Sequence, residues 1–175
     1  SILEECGSLG IKNVVIFSAG FKEIGREGTL LEEKLVEVAK HFQLNILGPN
    51  CLGFASTKTP LNVTFAQVVT RPGKIKFISQ SGALAASYFD WCQSTGLGYS
   101  DLVTIGNKSV INENDILKYW LPDLIKPDDS LKPVALYLES ITDGQEFLKL
   151  IKQITPNNPV FMLKPGKSSS ALAAM

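Results

Sequence analysis

The most constraining feature of this chain is its alternation of short, almost wholly apolar strands with helix-length segments. Strands are predicted at residues 74–79, 101–105, 134–139 and 160–164. Helices are predicted at 82–94, 113–125, 144–154 and from about 168. Strands this apolar bury both faces, and strand–helix alternation of this kind implies a parallel sheet covered on both sides. The fold class is therefore α/β. A shorter version of the pattern precedes it: a strand at 13–18, a helix at 30–42 and a strand at 45–47. The helix carries Leu31, Leu35, Val38 and Phe42 on one stripe.

Helix starts are written in the sequence as cap residues followed by acids. Thr29 with Glu32 forms the pattern of a capping box. Asn112 with Asp115, and Asp143 with Glu146, read the same way. Between 57 and 73 the periodicity dissolves into Thr, Pro, Asn and Val, ending in Arg71-Pro72-Gly73. A domain boundary is expected there, separating residues 1–70 from 72–175. Ser1 opens inside a helix-like pattern (Ile2, Leu3, Cys6, Leu9), and 168–175 covers about two turns of another. Both ends read as cut, and the chain as a fragment.

Composition narrows the function. A chain of 175 residues, 45% hydrophobic, has material for one large domain or parts of two. The 17 basic residues balance 17 acidic ones without a basic run, which argues against a nucleic-acid partner but leaves small anions open. No apolar run reaches the roughly 18 residues of a membrane span, and no signal-peptide pattern is present. Cys6, Cys51 and Cys92 are odd in number and lack C-x-x-C spacing, so a reduced, cytoplasmic setting is expected and no metal site.

The chemistry concentrates at Ser79-Gln80-Ser81-Gly82, between a strand and a helix. A helix N-terminus carries roughly half a positive charge and free N–H groups, which suits a phosphate. In a flavodoxin-like sheet the first and third strands flank the point where strand order reverses, and ligands sit beyond their carboxyl ends. Those ends carry Ser79–Ser81 and Glu139. A bare carboxylate would repel a phosphate, but one that orients a histidine would serve phosphoryl transfer. The single histidine, His41, falls off the apolar stripe near Lys34 and Glu37 and reads as a solvated surface residue. Simpler roles compete: Ser81 as an N-cap worth about 1 kcal/mol, Glu139 as a loop acid, Cys51 as a core thiol. A Ser-His-Asp hydrolase is disfavoured, since the segment is not G-x-S-x-G.

Six phrases together resemble the NDP-forming acyl-CoA synthetases, the superfamily of succinyl-CoA synthetase α-subunits and ADP-forming acetate–CoA ligases. They are residues 14–23 with Gly25 and Gly28, Gly48-Pro49-Asn50-Cys51-Leu52-Gly53, Ser79-Gln80-Ser81-Gly82-Ala83-Leu84, Gly106-Asn107-Lys108, Tyr137-Leu138-Glu139 and Lys164-Pro165-Gly166-Lys167-Ser168. The resemblance implies that 1–70 is the C-terminal part of a Rossmann-type CoA-binding domain and 72–175 a flavodoxin-like ligase domain. It implies an enzyme, an acid–thiol ligase interconverting acyl-CoA, ADP and phosphate with acid, CoA and ATP through a phosphohistidine. Ser79, Gln80, Ser81 and Gly82 match the phosphate site. Glu139 matches the catalytic acid that orients the histidine. Phe17, Ser18, Ala19, Asn50 and Cys51 match CoA-binding segments.

CoA, ATP or ADP, Mg, an ATP-grasp subunit or domain and an oligomeric assembly are implied for the full-length protein. The family's Ser-His-Thr phrase would follow Ala173-Ala174-Met175, so the fragment alone is expected to be inactive. Relatives often carry Ala-Asp where Ser109-Val110 stand here. The alternative is a CoA-sensing regulatory domain of a protein lysine acetyltransferase. A receiver or FMN-binding flavodoxin is a third reading, but the acids after the first strand and the aromatic-flanked FMN loop are missing.

Overall fold

Strand order, more than any single element, positions the chemistry. The computed structural model describes residues 1–67, 71–126 and 130–165. A short helix α1 (Ile2–Ser8) leads into a small parallel pair, β1 (Asn13–Val15) and β2 (Asn45–Leu47). They are connected by a 3-10 turn (Lys22–Ile24) and α2 (Arg26–Phe42). Leu35, Ala39, Leu44 and Ile46 form the local core of this part.

The remaining elements are β3 (Gly53–Ser56), β4 (Leu61–Thr64), β5 (Pro72–Ser79), α3 (Gly82–Thr95), β6 (Tyr99–Thr104), α4 (Glu113–Leu124), β7 (Val134–Tyr137), α5 (Gly144–Ile154) and β8 (Val160–Leu163). Their sheet runs β4-β3-β6-β5-β7-β8. The parallel strands β5, β6, β7 and β8 lie in the flavodoxin-like order: second, first, third, fourth. Strand order therefore reverses at β5, and β7 is its other neighbour.

Alternate side chains on each strand face opposite ways, and both faces are covered. Ile78, Val103 and Leu136 pack with Leu117 and Trp120 of α4 and Phe147 and Leu150 of α5. Phe77 and Leu102 face the other way, onto Ala85, Phe89 and Cys92 of α3. This is why the strands read as continuously apolar rather than alternating.

Two expectations change. The segment 57–73, expected to lack periodic structure, holds β4, which pairs antiparallel with β3 just ahead of it, and β3 extends the large sheet by pairing antiparallel with β6. Sheet membership thus changes at Gly53. Four-residue strands leave too little periodicity to be seen in sequence, and β3 takes its pairing from the distant β6. Thr104 Oγ1 anchors it, accepting from the N–H groups of Leu52 and Gly53 at 2.8 Å each and donating to Gly53 O at 2.9 Å.

The Thr29–Glu32 capping box does not form. Helix α2 starts at Arg26 with Gly25 as its cap, Thr29 Oγ1 donates to Gly25 O, and Glu32 is buried. Stronger charged partners, given below, hold Glu32 inward. The other two starts are as expected. Asn112 and Asp115 make a reciprocal box, and the Asp143 carboxylate accepts from Gln145 N and Glu146 N. His41 is exposed, edge-on to Phe42. The helix expected from about residue 168 lies outside the described residues. Among the described residues no helix is long and apolar enough to cross a membrane.

Candidate active-site cleft

The β5–α3 junction is built by two serines. Ser79 is fully buried. Its Oγ donates to Ser81 O at 2.6 Å and accepts from Ser81 N at 3.2 Å, which fixes the turn. Ser81 caps α3, its Oγ accepting from Leu84 N. Gly82 and Ala83 occupy the first helical positions, where N–H groups have no intrahelical acceptor. These N–H groups, rather than the Ser79 hydroxyl, are the donors available to an anion.

Gln80 bridges to the neighbouring strand tip. Its N–H donates to Tyr137 O at 2.9 Å. Its Oε1 accepts from Glu139 N at 3.0 Å and Ser140 N at 3.2 Å. The backbone of Glu139 is therefore held on the β5–α3 turn. Lys164 Nζ donates to Glu139 O at 3.2 Å, bringing a cation to the rim. Among the described residues the Glu139 carboxylate itself accepts no hydrogen bond and lines the cleft.

That cleft encloses about 640 Å³. Gln80, Ser81, Gly82 and Glu139 line it together with Phe17, Asn50 and Cys51. Of the other candidates, Ser79 lies beneath the surface. Ser18 and Ala19 are exposed but do not line this cleft. Phe65 completes an apolar wall, its ring edge-on to Phe17 with centroids 5.5 Å apart. Cys51 is buried, and its Sγ lies 3.4 Å from Ile16 O. Burial pushes the thiol up to about 11, so it stays protonated at neutral pH and forms wall rather than nucleophile.

A polar clasp closes the back of the cleft, and sequence reasoning assigned it no role. Asn107 Nδ2 donates to Glu23 Oε2 at 2.6 Å and to Glu32 Oε2 at 2.9 Å. Asn50 Nδ2 donates to Asn107 Oδ1 at 3.3 Å. Lys22 Nζ pairs with Glu32 Oε1 at 2.8 Å and donates to Asn107 O at 2.6 Å. Ser109 Oγ donates to Glu32 Oε1 at 2.5 Å, so a carboxylate from α2 reaches the loop after β6. The phrases Lys22-Glu23 and Gly106-Asn107-Lys108 were visible in sequence, but nothing local tied them together. Among the described residues no group of three or more His, Cys, Asp or Glu side chains is disposed to hold a metal ion.

Within the clasp, Glu23 is held well below the ordinary carboxylate range. Partial burial pushes its carboxyl up. The Asn107 amide and the N–H groups of Gly20 and Phe21 pull it down further, to about 2 from the ordinary 4.5. A depressed carboxyl stabilises the fold fully above its ordinary value, and that stability is lost as pH falls toward the folded value. Because Glu23 is exposed, screening limits the effect to below about 1 kcal/mol. Unfolding free energy is expected to decline over that acid window, and Asn107→Ala is expected to flatten the decline. A Glu23 carboxyl titration by NMR unchanged in Asn107→Ala would contradict it.

Residues 72–175 match the family described as the succinyl-CoA ligase like flavodoxin domain. The chain is 40% identical over 172 residues to the ADP-forming acetate–CoA ligase I of Archaeoglobus fulgidus, covering 98% of this chain and 24% of that protein. It is 42% identical over 179 residues to the ADP-forming 4-hydroxybutyrate–CoA ligase of Nitrosopumilus maritimus, covering 99% and 25%. Acetyl-coenzyme A synthetase 1 of Ca. Korarchaeum cryptofilum, solved with phosphate and ADP, superposes with a TM-score of 0.85 at 30% identity, covering 99% and 36%. The chain spans about a quarter of the length of these two ligases. A flavodoxin-like strand order, a helix start and an acid at the point of strand reversal, and a family match over well over half its residues agree: the chain belongs to the succinyl-CoA ligase like flavodoxin domain family.

Proposed function

We propose that this chain is the phosphate-handling part of an ADP-forming acyl-CoA synthetase. The full-length protein would interconvert acyl-CoA, ADP and phosphate with acid, CoA and ATP. The single observation that carries this reading is the convergence of two neighbouring strand tips on one cleft. β5 delivers the open N-terminus of α3, and β7 delivers Glu139, whose backbone is held and whose carboxylate accepts no hydrogen bond from the described residues.

Each residue has a task in this reading. The N–H groups of Gly82 and Ala83, with Ser81 at the cap, hold the phosphate at the positive end of α3. Glu139 accepts a ring N–H from the phosphoryl-carrying histidine, which fixes its tautomer and offsets the charge of the imidazolium. That histidine would come from outside the described residues. Phe17, Asn50 and Cys51 line the part of the cleft where the thioester end of CoA would lie, with Ser18 and Ala19 outside it. Residues 1–70 would belong to the CoA-binding domain and residues 72–175 to the ligase domain. Mg and ATP or ADP would be bound by an ATP-grasp domain or subunit in an oligomeric, cytoplasmic enzyme. The A. fulgidus and N. maritimus relatives are named for different acids, so the acyl group is left open.

The test uses the full-length protein. Incubation with ATP and Mg is expected to yield an acid-labile phosphohistidine. Glu139→Gln is expected to slow its formation about tenfold, as when an orienting partner is lost. Phosphorylation of the variant at the wild-type rate would remove Glu139 from the mechanism.

A further inference from the structure

Directly behind Glu139 lies a buried ion pair. Lys108 Nζ is 2.9 Å from Glu113 Oε2, with side chains 7% and 0% exposed. Removing two such charges from water is unfavourable unless their remaining donors and acceptors are satisfied, and an apolar pair of equal volume often stabilises as well or better. Core filling is therefore a poor explanation for this pair.

What an apolar pair would not do is hold backbone. Lys108 Nζ also donates to Ser140 O at 2.7 Å, and Glu113 Oε1 accepts from Thr142 N at 2.6 Å. Both of these bonds run to the loop that follows Glu139. The adjacent Asn114 Nδ2 donates to Asp143 O at 3.0 Å. Together with Gln80, these side chains bind the loop at the backbone of Glu139, Ser140, Thr142 and Asp143.

Lys108 adopts φ 48, a left-handed conformation that residues with a Cβ rarely take. Such strain persists where the surroundings over-determine it. Here the Lys108 N–H donates to Ile105 O at 2.9 Å. Asn107 reaches the clasp with Glu23 and Glu32, while Lys108 reaches the loop of Glu139.

We propose that Lys108, through its ion pair with Glu113, is a positioning residue: it locks the loop after β7 so that the Glu139 carboxylate stays aimed at the open end of α3. The proposal rests on the reading of Glu139 given above. Displacement of an acting group by about 1 Å reduces rates by up to a hundredfold.

The experiment measures phosphohistidine formation, the KM for CoA and thermal stability in the full-length protein. The variants are Lys108→Met, Lys108→Met/Glu113→Leu, Glu139→Gln and Lys108→Met/Glu139→Gln. Lys108→Met is expected to slow phosphorylation about tenfold with an unchanged KM for CoA. The apolar double replacement is expected to regain thermal stability but not rate, which separates positioning from support of the fold. In the Glu139→Gln background, Lys108→Met is expected to add nothing, since residues acting through one another are not additive. Recovery of rate together with stability, or full additivity with Glu139→Gln, would overturn the proposal while leaving Glu139 in place. A Glu139→Gln variant as fast as wild type would overturn both readings.

Discussion

Replacing Lys76 by alanine is expected to destabilise the chain by about 3 kcal/mol, the lower part of the range for breaking a buried ion pair. Lys76 is 3% exposed, on the α4 side of the sheet. Its Nζ lies 2.5 Å from Asp101 Oδ2, 3.2 Å from Asp123 Oδ2 and 5.1 Å from the centre of the Trp120 ring. Removing it leaves two carboxylates facing each other. The lower part of the range applies because Asp101 keeps Ser56, and Asp123 keeps Lys58 and Lys132, both nearer to water.

Thermal unfolding is expected to shift down by about 6–12 °C for a domain of this size. The loss is expected to persist at high salt, because buried pairs are poorly screened. For Asp123, burial pushes the carboxyl up, but Lys76 and its neighbours pull it below its ordinary value overall. The network therefore stabilises above the ordinary Asp range and weakens as pH falls through it. A Lys76→Ala change worth less than about 1 kcal/mol in urea unfolding would mean that the surrounding lysines compensate fully.

Gly106→Ala is expected to destabilise by roughly 3 kcal/mol and also to disable the cleft. Gly106 sits at φ 52, in the left-handed region. A Cβ there would lie 2.3 Å from both Pro49 O and Asn50 O. These are backbone atoms, so no rotamer change relieves the clash. The loops must part, breaking the bond from Asn107 N to Pro49 O and the one between Asn50 and Asn107. On the proposed reading of the cleft, loss of CoA affinity in the full-length protein is expected alongside the loss of stability. Gly144→Ala serves as the control: a Cβ there meets nothing within 4 Å, and the change is expected to stay within about 0.5 kcal/mol. Equal effects of the two substitutions would show that close approach at Gly106 does not matter.

Much of the framework was legible before any coordinates. The strand–helix alternation from residue 74 to 163, the caps at Asn112 and Asp143, and the helix start at Gly82 follow from local pattern. Other features were not legible, for identifiable reasons. β3 and β4 are four-residue strands; β3 is held by β6, about 45 positions away in sequence, and β4 only by β3. Thr29-Glu32 had the letters of a capping box, yet Glu32 turned to Lys22, Asn107 and Ser109. Ser79 had the chemistry of a phosphate ligand, but its hydroxyl is used to build the turn.

Sequence by itself determined the class of fold, the order of the strands and helices from residue 74 to 163 and the two strand ends on which the proposed chemistry depends. Those properties arise from periodicity and helix polarity, which act over a few residues. Only the tertiary structure decided that Asn107 meets Glu23 and Glu32 across separations of 84 and 75 residues, and that Lys108 and Glu113 hold the loop of Glu139. Side-chain hydrogen bonds and ion pairs act over about 3 Å, and nothing in a linear pattern tells which distant residues chain folding will bring that close.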